Sequence, residues 1–486
     1  MPGEEYDLKY AYKAMVILAS LATIVMYIEG MLIPSLTEIE KDFGIGENQV
    51  SWVLSAYLLS GTVLLPVVGK LGDIYGKKRV LSIVVLLYAI AVTMTSLSPN
   101  FTALIIFRSI QGIGLTMFAL AFSLIREEFP RELIPRAQGL VSAAFGIGAA
   151  ISLPIGAYIS QYYGWQTTYH TAIPFVLLVT YLIFTQIRES RYRNPTVRVD
   201  WVGASVLGAS LGLTVYGLTE GPEWGWTSIY TASTLLAAMI MAAIFVLIER
   251  GKTHPLLSID LLSRRNVLIS NMAAAIAGFG IFLANQSLVI LLEEPEPVGF
   301  NLSIFQTGLY AVPGAIAQLV MAPIAGLLIT RTGAKKMLTI GAAWASIFLL
   351  LTAALEPLGL LYVIAMVSLA MAGVAVMNVS LINILVFSVE PNVMGVSTAM
   401  NSVFRSLGGT IGPAVAGSLG STFTSLVLIA FVSGVPFMVS VPSSFAFQLG
   451  FLVSSAATAT LAALSLFAEE VITWRGRNIN VTVENA

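Results

Sequence analysis

The sequence predicts an all-α polytopic membrane protein with fourteen transmembrane helices: two parallel six-helix halves and two extra helices between them. Only 10% of the 486 residues are charged and 57% are hydrophobic, whereas soluble domains carry roughly 25% charged residues. Fourteen apolar segments reach the length of about 20 residues that a helix needs to cross a bilayer. A short motif also occurs once in each half of the chain at a constant offset.

The apolar segments divide the chain into two halves joined by a linker. We expect a cytoplasmic tail, a first half, a linker with two extra helices, a second half and a second cytoplasmic tail, over 1–13, 14–190, 191–265, 266–470 and 471–486. The predicted spans are 14–36, 48–68, 79–97, 101–124, 137–160, 166–187, 201–219, 229–248, 266–292, 303–328, 336–355, 359–387, 394–418 and 444–468. The apolar stretch 421–442 contains Gly434, Pro436 and Pro442 and is expected to be an interfacial loop or a re-entrant segment.

The basic residues orient these segments. Of the 25 Lys and Arg, 22 fall in loops or tails of one side, Lys41 falls in a loop of the other side, and Arg108 and Arg405 lie inside spans. By the positive-inside rule, we expect both termini to lie in the cytoplasm. We expect the protein to lie in the plasma membrane. The opposite loops are acidic, with Glu38, Glu40, Asp42, Glu47, Glu220, Glu223, Glu293, Glu294 and Glu296.

Composition excludes several classes of function. The net charge of −1 gives no electrostatic basis for binding nucleic acid. The chain has no Cys, which excludes disulfides, thiol catalysis and cysteine-ligated metals, and only two His, so no metal or other cofactor is expected. No enzyme motif stands out. The N-terminal stretch "MPGEEYDLKYAYK" lacks the basic region and cleavage site of a signal peptide, so we expect the first helix to be a retained anchor.

The repeated motif relates the two halves to each other. "LPVVGKLGDIYGKKRVL" (65–81) is similar to "APIAGLLITRTGAKKML" (322–338), and six identical residues align at an offset of 257. Both copies follow a second helix of their half and precede a third, on the same side of the membrane. The repeat is therefore parallel, as in membrane transporters whose halves rock against each other around a central site.

Two motifs carry a resemblance to a known family. "GKLGDIYGKKR" (69–79) resembles the inner-loop signature of the major facilitator superfamily, and "FRSIQGIG" (107–114) resembles its fourth-helix signature. "GWQTTYHTAIPF" (164–175), "DWVG" (200–203) and the count of fourteen helices are similar to its drug:proton antiporter branch. The resemblance covers essentially the whole chain.

The chain departs from that branch at two places. The Gly-Pro-rich fifth-helix motif is represented by "GIGAAISLPIGA", which keeps Gly146, Gly148 and Gly156 but has Pro154 one place late. The first helix lacks the usual Asp and carries Glu29 further along. These departures weaken the antiport assignment.

The resemblance implies a gate at the inner loop. Asp73 would contact the positive end of a helix in the other half when the protein faces outward, with glycines allowing the close approach. The basic run could instead serve only to set the topology. The predicted gating residues are Gly69, Asp73, Gly76, Lys78 and Arg79.

Glu29 and Arg108 are predicted partners. Each lies 7 residues from the outer end of its span, which puts both about 10 Å below the boundary at 1.5 Å per residue. Gln111 follows one turn after Arg108. The pair could act as a proton switch that opens during rocking, or it could be a permanent ion pair.

Further polar and aromatic residues within spans are candidates for the substrate cavity. Their alternative role is helix packing through hydrogen bonds. They are Tyr27, Trp52, Tyr57, Asn285, Gln286, Asn378, Asn383, Asn401 and Arg405.

The leading interpretation is a proton-coupled, monomeric exporter of hydrophobic small molecules, cationic ones included, working by rocker-switch alternating access in the lipid bilayer. The first alternative is a symporter or uniporter for a nutrient or organic anion, which the two intramembrane arginines would suit. A second alternative is a non-transporting membrane sensor on the same scaffold.

Overall fold

The computed structural model describes residues 8–129, 134–189, 193, 198–250, 252, 255–389, 394–432 and 435–471. The helices are α1 (Leu8–Gly30), α2 (Leu36–Phe43), α3 (Glu47–Val50), α4 (Trp52–Tyr75), α5 (Lys77–Ser96), α6 (Phe101–Gln111), α7 (Thr116–Glu128), α8 (Ile134–Tyr163), α9 (Trp165–Gln186), α10 (Trp201–Trp224), α11 (Ile229–Arg250), α12 (Ile259–Leu262), α13 (Arg265–Glu293), α14 (Ile304–Thr332), α15 (Ala334–Leu355), α16 (Leu360–Phe387), α17 (Met394–Thr422) and α18 (Ser444–Ser465). Three short 3-10 segments cover Ile33–Ser35, Gly112–Leu115 and Glu356–Leu358. The strands are β1 (Thr424–Val432) and β2 (Val435–Pro442).

Twelve helical stretches in the described part of the chain are long and apolar enough to cross a membrane. They match twelve of the predicted segments; α10 and α11 lie at the positions predicted for the two extra helices, whose status as additional spans stays a prediction. The other two predicted segments fall in α8 and α17, which are 30 and 29 residues long but contain residues outside the description. The all-helical membrane fold is confirmed, and the count of fourteen spans stays a prediction.

The bundle has two distinct ends, because successive long helices run in opposite directions. We call the end where Lys77, Lys78 and Lys335 lie at helix starts the basic end, and the end with Glu47 and Glu293 the acidic end. The helices α1–α9, which we call the first half, meet the helices α13–α18, which we call the second half, through α4 against α17 and through α8 against α14. Small residues allow close packing: a side chain on Gly148 or Gly408 would overlap the backbone of the neighbouring helix α1 or α13.

Helices α10 and α11 lie beside the seam between the two halves. α10 packs against both α4 and α17, and Ser210 of α10 donates a hydrogen bond to the Ala238 carbonyl of α11 at 3.0 Å. α11 exposes Leu236, Met239 and Leu247. An apolar face of this kind suits contact with lipid. α10 therefore contacts both halves, and α11 covers the outer side of α10.

Within the stretch 421–442, β1 and β2 pair as antiparallel strands at the acidic end, where an interfacial loop or a re-entrant segment was expected, and 421–422 still belong to α17. Thr424 pairs with Pro442, and a bulge lies between Leu428 and Ala430. Both strands are rich in β-branched and aromatic residues, which favour extended backbone. Only the backbone groups that face the partner strand are paired within this two-stranded sheet, and the unpaired groups of its two outer edges favour a position in contact with water over one in the hydrocarbon core.

The repeated motif ends in the same local structure in both halves. Gly76 and Gly333 have φ of 103° and 94°, a conformation that residues with a side chain rarely adopt. Each precedes a helix whose first amides donate to a distant carboxylate. Glu189 accepts from the Lys78 and Arg79 amides at 3.0 and 3.1 Å, and Glu470 accepts from the Ala334 and Lys335 amides at 2.9 and 3.2 Å.

Removing either of these capping carboxylates is expected to lower the folding stability to a similar extent. Anions at helix N-termini satisfy free amides and favour the helix dipole, so Glu189→Ala and Glu470→Ala should each lower the free energy of unfolding by about 0.5–2 kcal/mol. Thermal unfolding in detergent would measure the change. Glu469→Ala is the matched control, because Glu469 pairs with exposed Arg265 and caps no helix. Equal unfolding temperatures for the Glu189→Ala and Glu469→Ala variants would contradict the capping role.

Candidate functional site

Glu29 of α1 and Arg108 of α6 face each other inside the first half. Glu29 Oε2 lies 3.9 Å from Arg108 Nη1. The Arg108 side chain is 0% exposed, whereas Glu29 keeps 14% exposure. The pair predicted from equal depths is thus present. Its length leaves it closer to a loose ion pair than to a tight charge-assisted hydrogen bond, which spans about 2.7–2.9 Å.

Arg108 is held by more than this carboxylate. Its Nε donates to the Val53 carbonyl at 3.0 Å, and its Nη1 donates to Gln111 Oε1 at 3.3 Å. Its guanidinium also lies 4.7 Å from the centre of the Tyr57 ring, a cation–π contact. Arg108 is therefore fixed by α4 and by its own helix, while Glu29 is the less constrained member of the pair.

Three tyrosines complete what we call the Arg108 cluster: Glu29, Tyr57, Tyr88, Arg108, Gln111 and Tyr169. Tyr57 of α4, Tyr88 of α5 and Tyr169 of α9 are fully or almost fully buried, and each interacts electrostatically with both Glu29 and Arg108. Gly114 of the fourth-helix motif makes room for Tyr88, since a methyl group there would come within 2.5 Å of the ring. Tyr57 was predicted only as a cavity residue, and no sequence signal marks Tyr88 or Tyr169.

Polar atoms in this cluster are under-satisfied. Glu29 Oε2, Arg108 Nη2 and Gln111 Nε2 are buried without a well-formed hydrogen bond to the described residues, as are the three tyrosine hydroxyls. Tyr57 nevertheless faces Glu29, Tyr88 faces Gln111 and Tyr169 faces Arg108 as weak hydrogen-bond partners. Buried polar groups are normally paired, and exceptions of this kind occur at functional sites. Glu29 is therefore not held in a tight hydrogen-bond network.

The inner-loop motif lies at the basic end. Asp73 pairs with Lys77 of the same half at 3.0 Å, within the described part of the chain. A side chain on Gly69 would find no described atom within 4 Å, and the same holds for its repeat partner Gly326. The close approach expected at Gly69 is therefore not made in this conformation. At Gly76 a methyl group would come within 2.6 Å of Glu189 Oε1.

The fifth-helix residues lie where α8 meets α1. A side chain on Gly148 would overlap the Thr23 carbonyl, and one on Gly156 would come within 2.5 Å of Met31 Cα. Pro154 lies inside the helix. The surroundings of Gly146 fall outside the described residues.

The polar candidates of the second half divide into two groups. Asn401 Nδ2 donates to the Ser270 carbonyl at 3.0 Å and joins α17 to α13, and Asn383 Nδ2 donates to Val379 of its own helix at 2.8 Å. Both bonds are structural. By contrast, Gln286 is buried with neither amide atom bonded, and the Arg405 guanidinium makes no hydrogen bond or ion pair to a described residue.

The remaining cavity candidates are less constrained. Asn285, Tyr27 and Trp52 are half-buried. Asn378 is half-buried too, and its Oδ1 has no partner among the described side chains and backbone. These four stay candidates for contact with a substrate.

The two halves are in contact at the acidic end. The Asn48 amide donates to Ser421 Oγ at 3.2 Å, and Ser55 Oγ donates to the Thr410 carbonyl at 3.1 Å, both joining the α3–α4 region to α17. The Phe305 amide donates to Gln161 Oε1 at 2.8 Å. Thr37 also donates to Glu293. The acidic end is thus sealed by hydrogen bonds on both sides of the seam.

Comparison with known proteins identifies the family. The sequence profile described as Major Facilitator Superfamily matches residues 18–201 and 199–413, which is most of the chain. The chain belongs to the major facilitator superfamily. It is therefore a membrane-spanning transporter, and transporters of this superfamily bind small-molecule substrates.

Three relatives carry names that refer to drug resistance, export or multidrug transport. The chain is 27% identical to the multidrug resistance protein Stp of Mycobacterium tuberculosis over 418 residues, covering 85% of this chain and 76% of that one. It is 27% identical to the tetracenomycin C resistance and export protein of Streptomyces glaucescens, covering 78% and 70%. It is 26% identical to the multidrug transporter protein MdtP of Bacillus subtilis, covering 85% and 76%.

Solved structures with low sequence identity share the fold. A D-xylose–proton symporter superposes with a TM-score of 0.65 at 14% identity, covering 95% of this chain and 99% of that one. The human organic anion transporter TETRAN superposes with a TM-score of 0.60 at 15% identity, covering 94% and 99%. At this identity the likeness extends to the fold alone.

Proposed function

We propose that this transporter exports hydrophobic small molecules, organic cations included, in exchange for protons, with Glu29 as the coupling carboxylate. The observation that carries the proposal is the Arg108 cluster, in which a loosely held acid lies beside a fixed, fully buried base. A charged acid within a membrane-spanning helix is costly to keep, so its presence favours a functional role. The named functions of the relatives support the substrate class.

The coupling would work by partner exchange. When ionised, Glu29 is attracted to Arg108; when protonated, it can move away while Arg108 keeps its bonds to Val53 and Gln111. Arg108 is anchored to α4 and Glu29 belongs to α1, so a proton changes how strongly these helices attract each other. A change of this kind can bias a two-state transporter.

In this proposal the basic end faces the cytoplasm, as do both termini, and the acidic end faces outward. The transporter lies in the plasma membrane and works as a monomer. The seal at the acidic end and the open space around Gly69 and Gly326 suit an inward-facing state. In the outward-facing state these glycines would pack and Asp73 would leave Lys77 to close the basic end. The fourteen-helix antiporter branch stays part of this proposal.

Proteoliposomes with an imposed pH gradient test the proposal. The purified transporter should move ethidium against its concentration gradient when protons flow the opposite way, and the movement should stop when an ionophore collapses the gradient. Vesicles without protein are the control for passive binding of the dye. Dye movement that is the same with and without the pH gradient would contradict proton exchange.

One observation favours the alternative of organic anion transport. The Arg405 guanidinium is half-buried in α17 and makes no ion pair with a described residue. A cation in that position suits an anionic ligand. The same vesicles loaded with a labelled aromatic carboxylate distinguish the two functions: carboxylate movement with protons, without ethidium movement, would favour a symporter.

A further inference from the structure

A second buried carboxylate lies at the seam between the two halves. Glu47 opens α3 at the acidic end and is 7% exposed. Its Oε2 is buried and accepts no hydrogen bond from the described residues. α17 of the other half covers it directly, because a side chain on Gly420 would overlap this carboxylate. The cover exists only while the acidic end is closed.

The charged residues around Glu47 do not neutralise the negative charge of its ionised carboxylate. Glu40 of α2 and Glu294 after α13 both interact with it repulsively. Lys41 is attracted to Glu40, Glu293 and Glu294. α17 and the strands β1 and β2 present Gly420, Ser421, Thr424 and Ser440 on this side, none of which can carry charge. We call Glu40, Glu47, Glu293 and Glu294 the outer carboxylates; two belong to each half.

A cavity connects Glu47 to the acidic end of the molecule. It has a volume of about 290 Å³ and is lined by Glu40, Glu47 and Glu223 together with residues of α17, β1 and β2. Glu223 of α10 already accepts a hydrogen bond from Asn48 Nδ2 at 3.1 Å. Glu47 is the acid in this cavity that is both buried and unpaired, so an ion or a proton arriving through the cavity would meet it.

We infer that Glu47 is a proton-binding site of the outer gate, distinct from Glu29, and that closure of the acidic end takes up a proton there. When the halves part, Glu47 regains water and can ionise. When they close, an ionised Glu47 would lose its water, gain no partner and face like charges from the other half, which is costly. A neutral Glu47 avoids that cost. The inference uses the alternating access of the proposed function, but neither the direction of transport nor the role of Glu29.

Glu294 supports the same direction of coupling. Burial raises the pKa of Glu294 from 4.5 to about 7, although Lys41 acts in the opposite sense. A carboxyl with a raised pKa in the closed state binds more protons there than in the open state, where it is hydrated. Closure is therefore favoured as pH falls from about 7 towards 4.5 and is penalised fully above about 7.

The distance between two spin labels across the acidic end tests the inference directly. The native chain has no Cys, so labels can be placed at Ser98→Cys and Leu358→Cys. Ser98 lies in the loop after α5 and Leu358 at the end of the 3-10 segment after α15, both at the acidic end and one in each half. In lipid nanodiscs without substrate, the closed fraction should increase as pH falls from 8.5 to 5.5. One proton changes the ratio of closed to open by up to about tenfold per pH unit.

Variants identify the residue that is responsible for the pH dependence of the closed fraction. Glu47→Gln should be mostly closed even at pH 8.5 and should lose much of the pH dependence; Glu47→Leu provides a second neutral side chain if the first variant does not fold. Glu296→Gln, an exposed acid of the same end, should behave like the native protein. A native distance distribution that does not change with pH would overturn the inference without any variant.

Two further results would also overturn it. If the closed fraction of Glu47→Gln depended on pH as steeply as that of the native protein, the proton would bind at another group. If tetramethylammonium closed the acidic end at constant pH while pH alone had no effect, the cavity would be a site for organic cations. Because this readout requires neither flux nor Glu29, it can fail while proton-driven export succeeds, and the reverse.

Discussion

Glu29→Gln is expected to abolish uphill export while preserving the folded protein. A pH step of one unit supplies about 1.4 kcal/mol per proton, enough for about a tenfold gradient of an exchanged cation. The Gln side chain cannot carry the proton, so the variant should only equilibrate ethidium, with an accumulation ratio near one. Its size matches Glu, and it can still accept a hydrogen bond from Arg108.

The same vesicle assay provides the controls. Glu296→Gln removes an exposed carboxylate at the acidic end and should retain native accumulation. Glu29→Asp keeps a titratable group on α1 and should restore part of the uphill movement. If Glu29→Gln still concentrated dye as the native protein does, Glu29 would be a structural partner of Arg108, and the coupling acid would lie elsewhere.

Arg108→Gln is expected to be the most destabilising single change in the cluster. Removal of one member of a buried charge pair leaves the other uncompensated and typically costs about 3–5 kcal/mol. Here the loss also frees the Val53 carbonyl and the Tyr57 ring face. A large drop in thermal stability in detergent, together with loss of transport, is the expected result.

The double variant separates the ion pair from the other contacts. Glu29→Gln with Arg108→Gln should be more stable than Arg108→Gln alone, since no unpaired charge remains. The expected coupling is between about 0.5 and 3 kcal/mol for residues in contact. Strictly additive effects would mean that the 3.9 Å separation of Glu29 and Arg108 carries no interaction.

The sequence predicted much of the fold because the bilayer limits the possibilities. A chain in lipid must satisfy its backbone within each spanning segment, so long apolar runs become helices. The excess of basic residues on one side then predicts the direction of every helix. Depth along a helix follows from residue count, which is why counting residues is enough to match Glu29 with Arg108.

Residues that act through contacts between distant segments could not be predicted. Tyr88 and Tyr169 look like any aromatic residue in an apolar helix, and only the arrangement of α5 and α9 around Arg108 gives them a role. Glu189 and Glu470 lie more than a hundred residues from the helix starts that they cap. No local pattern identifies such partners.

The sequence by itself determined that the chain lives in a lipid bilayer, that it is helical and that it contains a repeat, and it predicted one depth for Glu29 and Arg108. Those properties depend on hydrophobicity and on the rise per residue, which are local. Only the tertiary structure decided that β1 and β2 pair with each other, that α10 touches both halves, and that Glu47 Oε2 lies beneath α17 without a partner among the described residues. The physical reason is that strand pairing, helix contact and the burial of a charge all depend on segments far apart in the chain.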